Sequence, residues 1–544
     1  MLTFFYFFFY GSEFLFDFSL SFFACSSFHL SFVGDFFSFQ FMSFIILISS
    51  VVIFYSIFYM DGDSTATRFI SLVLLFIFSM SFLVVCPSLL GLIFGWDGLG
   101  ITSFLLVVYY NNTSSLRSGL ITVYTNRLGD IFLIFSLFLA LPLGWMSVDL
   151  FFSSVPLIFS VFLILAGITK SAQLPFCSWL PAAIAAPTPV SSLVHSSTLV
   201  TAGVYLFIRF FFLFERVFFS LFFLLLFLAT SLSAGAFACL EVDLKKLVAI
   251  STLSQLGLMM ASLGLGHLFF SFFHIVRHAL FKSLLFLSCG FLIMVGLGLQ
   301  DMRFKGNKFF PRGSLVLMVI VANLSLCGFP FLSGFFSRDL IIESFIFFES
   351  GISLLLIFFF SCVLSVIYSF KMLNLALTSD LLCCPSLLTS FLSSNMLFMG
   401  FLFFWSIALG KVFSSLFMGG EIPLFYGFDK FIGVLFFFPL FIYFFASQVF
   451  FSFFIDMLWL NWFRGALFSK SQPFRYYILL GESTWLELVG PQGLVSLVYH
   501  RVSLGLHWGV SKPIFFLLLA GVIFRLYLPY SLLKALFWRN REGW

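Results

Sequence analysis

The chain has 544 residues, of which 62% are hydrophobic and 9% are charged, and its mean hydropathy is +1.15. Soluble domains are about half apolar and about a quarter charged, so this composition excludes a soluble protein and predicts one that spans a membrane. The formal net charge of +5 is not gathered into a basic run, which argues against nucleic-acid binding. The nine cysteines include no Cys-x-x-Cys pair, so the sequence supports neither an iron–sulfur cluster nor a zinc site.

The apolar runs are unbroken, which predicts helices rather than the strands of a transmembrane barrel, where polar and apolar residues alternate. A bilayer core needs about 20 apolar residues per helix, so the chain has room for about 15 transmembrane helices. The predicted fold class is therefore an all-α polytopic membrane protein. Polar breaks delimit predicted spans at 14–32, 36–59, 68–86, 88–110, 115–140, 154–172, 190–214, 217–240, 243–265, 268–297, 314–343, 350–378, 393–417, 431–454 and 513–535.

Two segments contain residues that interrupt a helix. The first, 167–189, contains Lys170 and four prolines. The second, 327–339, begins with Cys-Gly-Phe-Pro and ends in Arg338 and Asp339. Proline removes a helix hydrogen bond, and in lipid the freed carbonyl must be satisfied by protein or water. Two broken helices, each beside a buried charge, are typical of transporters built from inverted repeats.

The stretch 455–512 mixes charged residues with Trp and Tyr, so it is too polar to span and amphipathic enough to lie along the membrane interface. A last predicted span follows it. We therefore divide the chain into N-terminal transmembrane helices (1–87), a first repeat core (88–214), a second repeat core (215–378), C-terminal transmembrane helices (379–454), an amphipathic helix region (455–512) and a terminal anchor helix (513–544).

Ionisable side chains recur inside the predicted spans, although a charge at the bilayer centre costs about 2.5 to 3.5 kcal/mol. Each one alone is compatible with a structural ion pair or a side chain that reaches the interface. So many on successive spans favour a path for a charged species. These residues are Asp97, Arg127, Asp130, Lys170, His195, Arg209, Lys245, Lys246, His274, His278, Lys282, Arg338, Asp339 and Lys371.

Lys170 and Asp97 form the most informative combination. Burial disfavours an ammonium and a nearby carboxylate favours it, so a carboxylate that approaches and withdraws would make Lys170 bind and release a proton. Asp97 lies mid-span among glycines that permit close helix approach. Moving one charge against about 200 mV costs about 4.6 kcal/mol, which a modulated pair of this kind can supply. A static pair would only stabilise the helix bundle.

His274, His278 and Lys282 are spaced at i, i+4 and i+8, which predicts that they lie on one face of one helix. A neutral imidazole accepts at one nitrogen and donates at the other, so these residues can relay protons with water between them. The alternative is a pair of structural core histidines. A zinc or haem site is a weaker alternative, since Arg277 would oppose a cation and no opposing axial histidine is evident.

Several sequence motifs between residues 90 and 345 resemble those of a known protein family. They are GWDGLGI at 95–101, NRLGD at 126–130, the interrupted stretch 170–198, DLKK at 243–246 and HIVRHALFK at 274–282. Together they resemble the antiporter-like membrane subunits of NADH–ubiquinone oxidoreductase (respiratory complex I). The stretch 455–512 with the final span resembles the lateral helix and anchor of the distal subunit in that group.

This resemblance implies antiporter-like inverted repeats, a C-terminal lateral amphipathic helix and a place in the mitochondrial inner membrane. It implies proton translocation as part of NADH:ubiquinone reductase, with no redox site in this chain. NADH, FMN, iron–sulfur clusters and ubiquinone would bind partner subunits. The implied partners are other membrane-arm subunits, above all the adjacent antiporter-like subunit 4 along the lateral helix, and lipids such as cardiolipin.

The resemblance also implies roles for individual residues. It makes Asp97 and Lys170 a coupling pair and His195 the link toward the centre. It assigns His274, His278 and Lys282 to a central hydrophilic axis, and Arg338 and Asp339 to a distal exit. The predicted site comprises Asp97, Asp130, Lys170, His195, His274, His278, Lys282, Arg338 and Asp339.

Four positions depart from the family pattern. Asp97 replaces a glutamate, which shortens its reach by one methylene, and 185–186 lack an acidic residue that many relatives have there. Arg338 replaces a lysine and is effectively never deprotonated, so we assign the exit proton to Asp339, with Arg338 stabilising its charged form. Asp35 resembles a position that lies later in relatives, so we expect one N-terminal helix to be missing.

The sequence leaves three other functions open. A cation/proton antiporter subunit of the multi-subunit type shares the core strings and would show sodium-dependent proton flux without a redox partner. A silent scaffold subunit would tolerate Lys170→Ala. A haem-carrying oxidase would have a visible absorption spectrum.

Overall fold

The computed structural model describes residues 14–23, 26–140, 157–211, 220–295, 298–302, 313–330, 332–347, 352–378 and 392–417. All of them belong to one compact unit, Met1–Met457. The predicted spans at 431–454 and 513–535 and the predicted lateral helix at 455–512 lie outside the described residues.

The described elements are two strands followed by helices. The strands are β1 (Phe14–Phe23) and β2 (Ser26–Gly34). The helices are α1 (Phe36–Tyr59), α2 (Ala66–Val85), α3 (Leu89–Val107), α4 (Thr113–Ala140), α5 (Leu157–Lys170), α6 (Trp179–Ala182, followed by a 3-10 turn over Ala183–Ala185), α7 (Thr188–Arg209), α8 (Ser220–Leu240), α9 (Leu244–Gly264), α10 (Leu268–Val295), α11 (Gly313–Cys327), α12 (Ser333–Phe347), α13 (Ile352–Thr378) and α14 (Leu392–Phe417).

Nine helices within the described ranges are long and apolar enough to cross a membrane, namely α1–α4, α7–α10 and α13. The most apolar stretches of α7 and α10 are entirely buried inside the chain. Helix α10 packs against α1, α7, α9, α11, α12 and α14. These contacts on all sides place α10 at the centre of the bundle.

The prediction of a helix at 14–32 is wrong, and the region 1–87 is therefore not helical throughout. Strands β1 and β2 form an antiparallel hairpin in which Asp17 pairs with Ser31 and Ser19 pairs with His29. Polar residues alternate with Phe and Leu along this stretch, and a period of two is that of a strand. Averaged hydropathy does not register this alternation, because it sums both faces of the strand.

Both predicted helix interruptions are confirmed. Helix α5 ends at Lys170, and an irregular stretch leads to α6. The predicted span 314–343 is two helices, because α11 ends at Cys327 and Gly328 follows with φ +78°, a conformation that favours glycine. Protein groups satisfy freed carbonyls at both breaks. Trp179 Nε1 donates to the Thr169 carbonyl at 3.1 Å, and Arg338 donates to the Cys327 carbonyl.

Helices α5 and α7 approach closely at Gly203. A Cβ atom at this position would lie 2.8 Å from the carbonyl oxygen of Gly167, which is too close for any other residue without a shift of the backbone. The contact brings the helix that ends in Lys170 against the helix that contains His195.

Candidate functional site

Lys170 is the last residue of α5, and its side chain is fully buried. Its Nζ donates to the Trp96 carbonyl at 2.6 Å and lies 3.9 Å from the centroid of the Trp96 ring. No carboxylate of the described residues lies within 4.0 Å of this nitrogen. The ammonium is therefore held by a carbonyl and an aromatic face rather than by an ion pair.

Asp97 binds Arg127 and not Lys170. Arg127 Nη1 lies 3.6 Å from Asp97 Oδ1 and 3.1 Å from Asp130 Oδ2, so one guanidinium bridges two carboxylates. Both carboxylates share this guanidinium, and Asp130 is the more deeply buried of the two. The predicted pair is thus a cluster of four charges, defined by Asp97, Arg127, Asp130 and Lys170. Its members come from α3, α4 and α5.

The charge cluster has a buried side and an exposed side. The side chain of Asp130 is 11% exposed, whereas those of Asp97 and Arg127 are 40% and 50% exposed. The sequence singled out Asp130 as an ionisable residue of a span and as part of the NRLGD string, without a separate role. Its burial makes it the carboxylate that water screens least, and therefore the stronger electrostatic partner of Lys170.

His195 lies within π-helical turns of α7, over Ser191–Thr198, and is 2% exposed. Its ring centroid lies 6.4 Å from that of Trp179. The ring lies near the backbone of Ala183, but neither ring nitrogen makes a hydrogen bond of good geometry with a described residue. Single π-helical turns are frequent at functional sites. A buried imidazole with open nitrogens is suited to accept a proton from a mobile donor.

His274, His278 and Lys282 all belong to α10, and the prediction that one helix carries them is confirmed. All three are buried, and the two imidazole centroids are 6.4 Å apart. Lys282 Nζ donates to Ser251 Oγ of α9 at 2.6 Å. Neither nitrogen of His278 has a hydrogen-bond partner among the described residues. The face therefore presents an open imidazole between a hydrogen-bonded histidine and a buried lysine.

A hydrogen-bonded network surrounds His274. Its Nδ1 lies 2.7 Å from Ser337 Oγ of α12, and its Nε2 lies 3.2 Å from Gln255 Oε1 of α9. Gln255 Nε2 donates to the Tyr368 hydroxyl of α13 at 3.5 Å, and this hydroxyl lies 2.9 Å from Ser254 Oγ. Sequence reasoning missed Tyr368. The available signal was a tyrosine in an otherwise apolar span, since a buried tyrosine hydroxyl usually has a partner.

Arg338 stabilises the break between α11 and α12. Its guanidinium donates to the Cys327 carbonyl, and to the Cys362 carbonyl at 2.7 Å. Asp339 is half-buried in α12. Arg277, which the prediction did not include, is fully buried and donates to the Ser333 carbonyl on the other side of the same break. The transfer of the exit proton to Asp339 stays a prediction.

Other ionisable residues of the spans have structural roles. Lys371 Nζ donates to the carbonyls of Cys239 and Glu241 at 2.6 and 2.9 Å, which caps the end of α8. Lys246 pairs with Asp243 at 2.7 Å, at the start of α9. No group of three or more His, Cys, Asp or Glu side chains in the described part of the chain is arranged to hold a metal ion.

Arg209 and Asp35 form a further structural ion pair, with two contacts of 2.5 and 2.7 Å. Arg209 Nε also donates to the Tyr205 hydroxyl at 2.8 Å, and this hydroxyl donates to the Val84 carbonyl at 3.0 Å. The network joins the end of α7 to the start of α1 and the end of α2.

Residues 86–367 match the profile of the family described as NADH:quinone oxidoreductase/Mrp antiporter, TM. The chain is 40% identical over 507 residues to NADH-ubiquinone oxidoreductase chain 5 of Artemia franciscana, and the alignment covers 88% of this chain and 89% of that one. The chain belongs to this family. All nine predicted site residues, from Asp97 to Asp339, lie inside the matched family region.

Two further comparisons describe its place in the NADH:quinone oxidoreductase/Mrp antiporter family. The chain is 45% identical over 356 residues to NADH-ubiquinone oxidoreductase chain 5 of Aedes aegypti, and this match spans 64% of the chain and 61% of that relative. The Mrp complex of a Dietzia species superposes with a TM-score of 0.71 at 22% identity, covering 92% of this chain and 58% of that chain. The fold is therefore that of an antiporter-like membrane protein.

Proposed function

We propose that the chain is a proton-translocating membrane-arm subunit of an NADH:ubiquinone oxidoreductase in the mitochondrial inner membrane. In this proposal, electrons pass from NADH to ubiquinone in partner subunits, which hold the NADH, FMN, iron–sulfur and ubiquinone sites. This chain moves protons. Its relatives from Aedes aegypti and Artemia franciscana are named as chain 5 of that enzyme.

One observation carries the proposal: several deeply buried ionisable side chains lack an opposite charge in direct contact. Lys170, His195, His278 and Lys282 are all 0% to 2% exposed. No described carboxylate lies within 4.0 Å of any of them. Unpaired ionisable groups in a low-dielectric interior are costly, so such groups are concentrated at sites that transfer charge.

The structural ion pairs of the same chain provide the contrast. Arg209 binds Asp35 and Lys246 binds Asp243, so each charge lies against its opposite. Pairing of this kind stabilises a bundle without moving protons. The four side chains without a carboxylate partner are more deeply buried than these ion pairs and have no opposite charge in contact. This difference supports a role in transport over a scaffold role.

The charge cluster supplies a means of control. Arg127 bridges Asp97 and Asp130, and both carboxylates act on Lys170. A movement that withdraws Arg127 leaves more negative charge for Lys170 and favours proton uptake, whereas its return favours release. The carboxylate that varies the charge on Lys170 is then Asp130, with Asp97 adjusting the position of Arg127.

Exposed charges on α3 and α4 support assembly with a partner. Asp97 and Arg127 are 40% and 50% exposed although both lie in apolar spans, and the neighbouring Tyr124 and Leu128 are exposed as well. Acyl chains cannot solvate a carboxylate or a guanidinium. A neighbouring membrane-arm subunit would cover this face. We assign the lateral helix to contact the adjacent antiporter-like subunit 4, and lipids such as cardiolipin to the remaining surface.

The test is proton pumping by the assembled complex in liposomes, measured as protons moved per electron from NADH. Lys170→Ala should abolish most of the pumping by this chain. Lys371→Ala is the matched control, because it also removes a buried lysine that donates to backbone carbonyls. Normal stoichiometry in Lys170→Ala, or equal losses in both variants, would leave only a structural role for Lys170.

A cation/proton antiporter subunit is the second candidate, and the likeness of the fold to the Mrp complex favours it. The two functions differ in their driving force. Proton flux that requires sodium and continues without NADH would indicate antiport, whereas flux that stops with electron transfer would indicate redox-driven pumping.

A further inference from the structure

Four helices contribute to a buried hydrogen-bonded chain around His274. It runs from Ser337 of α12 to His274 of α10, then to Gln255 of α9 and Tyr368 of α13, and it returns to Ser254 of α9. The successive distances are 2.7, 3.2, 3.5 and 2.9 Å. All five side chains are 0% to 3% exposed, so bulk water does not compete for these bonds.

The donors and acceptors of this chain determine where its hydrogens lie. Gln255 has its oxygen toward His274 and its NH2 group toward Tyr368, so His274 Nε2 must donate and the Tyr368 oxygen must accept. The Tyr368 hydrogen then points to Ser254. The Ser254 hydroxyl donates onward to the Ser251 carbonyl at 2.9 Å. The reversed arrangement, in which Ser254 donates to Tyr368 and Ser337 donates to the Gly334 carbonyl, also gives every donor an acceptor, but it exchanges the 2.9 Å bond to the Ser251 carbonyl for one of 3.4 Å. The distances therefore favour His274 with its proton on Nε2 and its bare Nδ1 facing Ser337.

The Tyr368 hydroxyl transmits this preference to the Gln255 amide, because its hydrogen is used on Ser254 and its oxygen is left to accept from the amide NH2 group. Without it, the amide can rotate and present its NH2 group to His274. The imidazole would then carry its proton on Nδ1 instead. A proton relay needs one nitrogen open on the side from which the proton arrives and a hydrogen on the side from which it leaves. If His274 no longer preferred the tautomer with its proton on Nε2, proton transfer through this residue would therefore be slower.

We infer that Tyr368 is a positioning residue for proton transfer: through Gln255 it fixes which ring nitrogen of His274 is open to receive a proton. This inference rests on the proposed function. It concerns a residue outside the strings that carry the family resemblance, one position beyond the matched family region 86–367. Ser337 then delivers or receives the proton at His274 Nδ1, beside Arg338 and Asp339.

The first measurement is proton pumping by Tyr368→Phe in the assembled complex. One hydrogen bond to an uncharged group biases an equilibrium by about three- to tenfold, so its loss lowers the share of the productive tautomer from about 75–90% to about half, and we expect the pumping rate to fall by about 1.5- to 2-fold. The two neutral tautomers hold the same number of protons. The loss should therefore be the same factor at every pH, rather than a displaced pH profile. Tyr205→Phe is the matched control, because it removes a hydroxyl that is also buried and hydrogen-bonded.

A double-mutant cycle separates positioning from packing. If Tyr368 acts through His274, then Tyr368→Phe should have no further effect in a His274→Gln background. Additive losses, or a loss in Tyr205→Phe equal to that in Tyr368→Phe, would overturn the inference. Wild-type pumping in Tyr368→Phe would do so too. In that last case a pumping defect in Lys170→Ala would leave the proposed function standing, whereas normal pumping in Lys170→Ala would remove both.

Discussion

Replacing Asp130 by Asn should impair pumping more than replacing Asp97 by Asn. The family resemblance assigns the coupling role to Asp97, whereas the structure buries Asp130 more deeply, so water screens its charge less. The two substitutions are matched in chemistry, since each removes one negative charge and keeps the side-chain shape. Their comparison therefore tests which carboxylate controls Lys170.

The burial of each carboxylate decides how strongly it interacts with Arg127, and we take this interaction free energy as the measure of each substitution's effect. Arg127 lies 3.1 Å from Asp130 and 3.6 Å from Asp97. At an effective dielectric constant of about 20, the Coulomb attraction between unit charges at either distance is about 5 kcal/mol. Distance alone therefore predicts no difference between the two carboxylates. Solvent-exposed pairs contribute about 0 to 1 kcal/mol, which applies to Asp97 at 40% exposure. We discount the interaction of Asp130 to about 2 kcal/mol because Arg127 itself is half exposed.

Converted to rates, about 2 kcal/mol corresponds to a loss of about 30-fold for Asp130→Asn, and about 0.5 kcal/mol to about twofold for Asp97→Asn. The assay is dye-reported proton uptake into liposomes at a fixed rate of NADH oxidation. Asp243→Asn serves as control, because Asp243 also pairs with a cation three residues away and lies outside the charge cluster. Equal losses at Asp97 and Asp130, or a larger loss at Asp97, would refute the reasoning.

Two further predictions concern the ion pair at the end of α7 and the helix break. Asp35→Asn leaves the guanidinium of Arg209 without its carboxylate, so it should lower the free energy of unfolding by about 2 to 3 kcal/mol, seen as a lower melting temperature of the complex. Unchanged melting would contradict this. Arg338→Lys should keep pumping and cost about 1 kcal/mol of stability, because two different guanidinium nitrogens contact the two carbonyls and a single ammonium nitrogen replaces them only in part. Collapse of pumping with normal assembly would show that the exit is wrongly assigned.

Much of this protein follows from its sequence. A bilayer excludes polar groups, so apolar length predicts helices and each ionisable residue within a span stands out. Pro175 and Gly328 indicated the two interruptions that the structure confirms, because both residue types disfavour a continuous helix. The spacing of His274, His278 and Lys282 was enough to place them on one helix face, because an uninterrupted helix has a fixed period.

Hydropathy misled at the N-terminal end of the described chain. The stretch from Phe14 to Gly34 is as apolar as a span, yet it forms a hairpin. The alternation of Asp17, Ser19 and Ser21 with apolar residues was present in the sequence. A window that averages over both faces removes that signal.

The partners of the buried charges were decided by tertiary structure alone. A face that carries polar residues, such as that of His274, His278 and Lys282, does not reveal which neighbouring helix it meets, because all the spans are largely apolar and pack against several others. The packing of the helices sets Asp97 on Arg127 and leaves Lys170 against the Trp96 carbonyl. It also brings Tyr368 to Gln255, which are 113 positions apart in the chain. The sequence by itself determined which groups must be buried in the membrane, and helix packing determined which of them can exchange a proton.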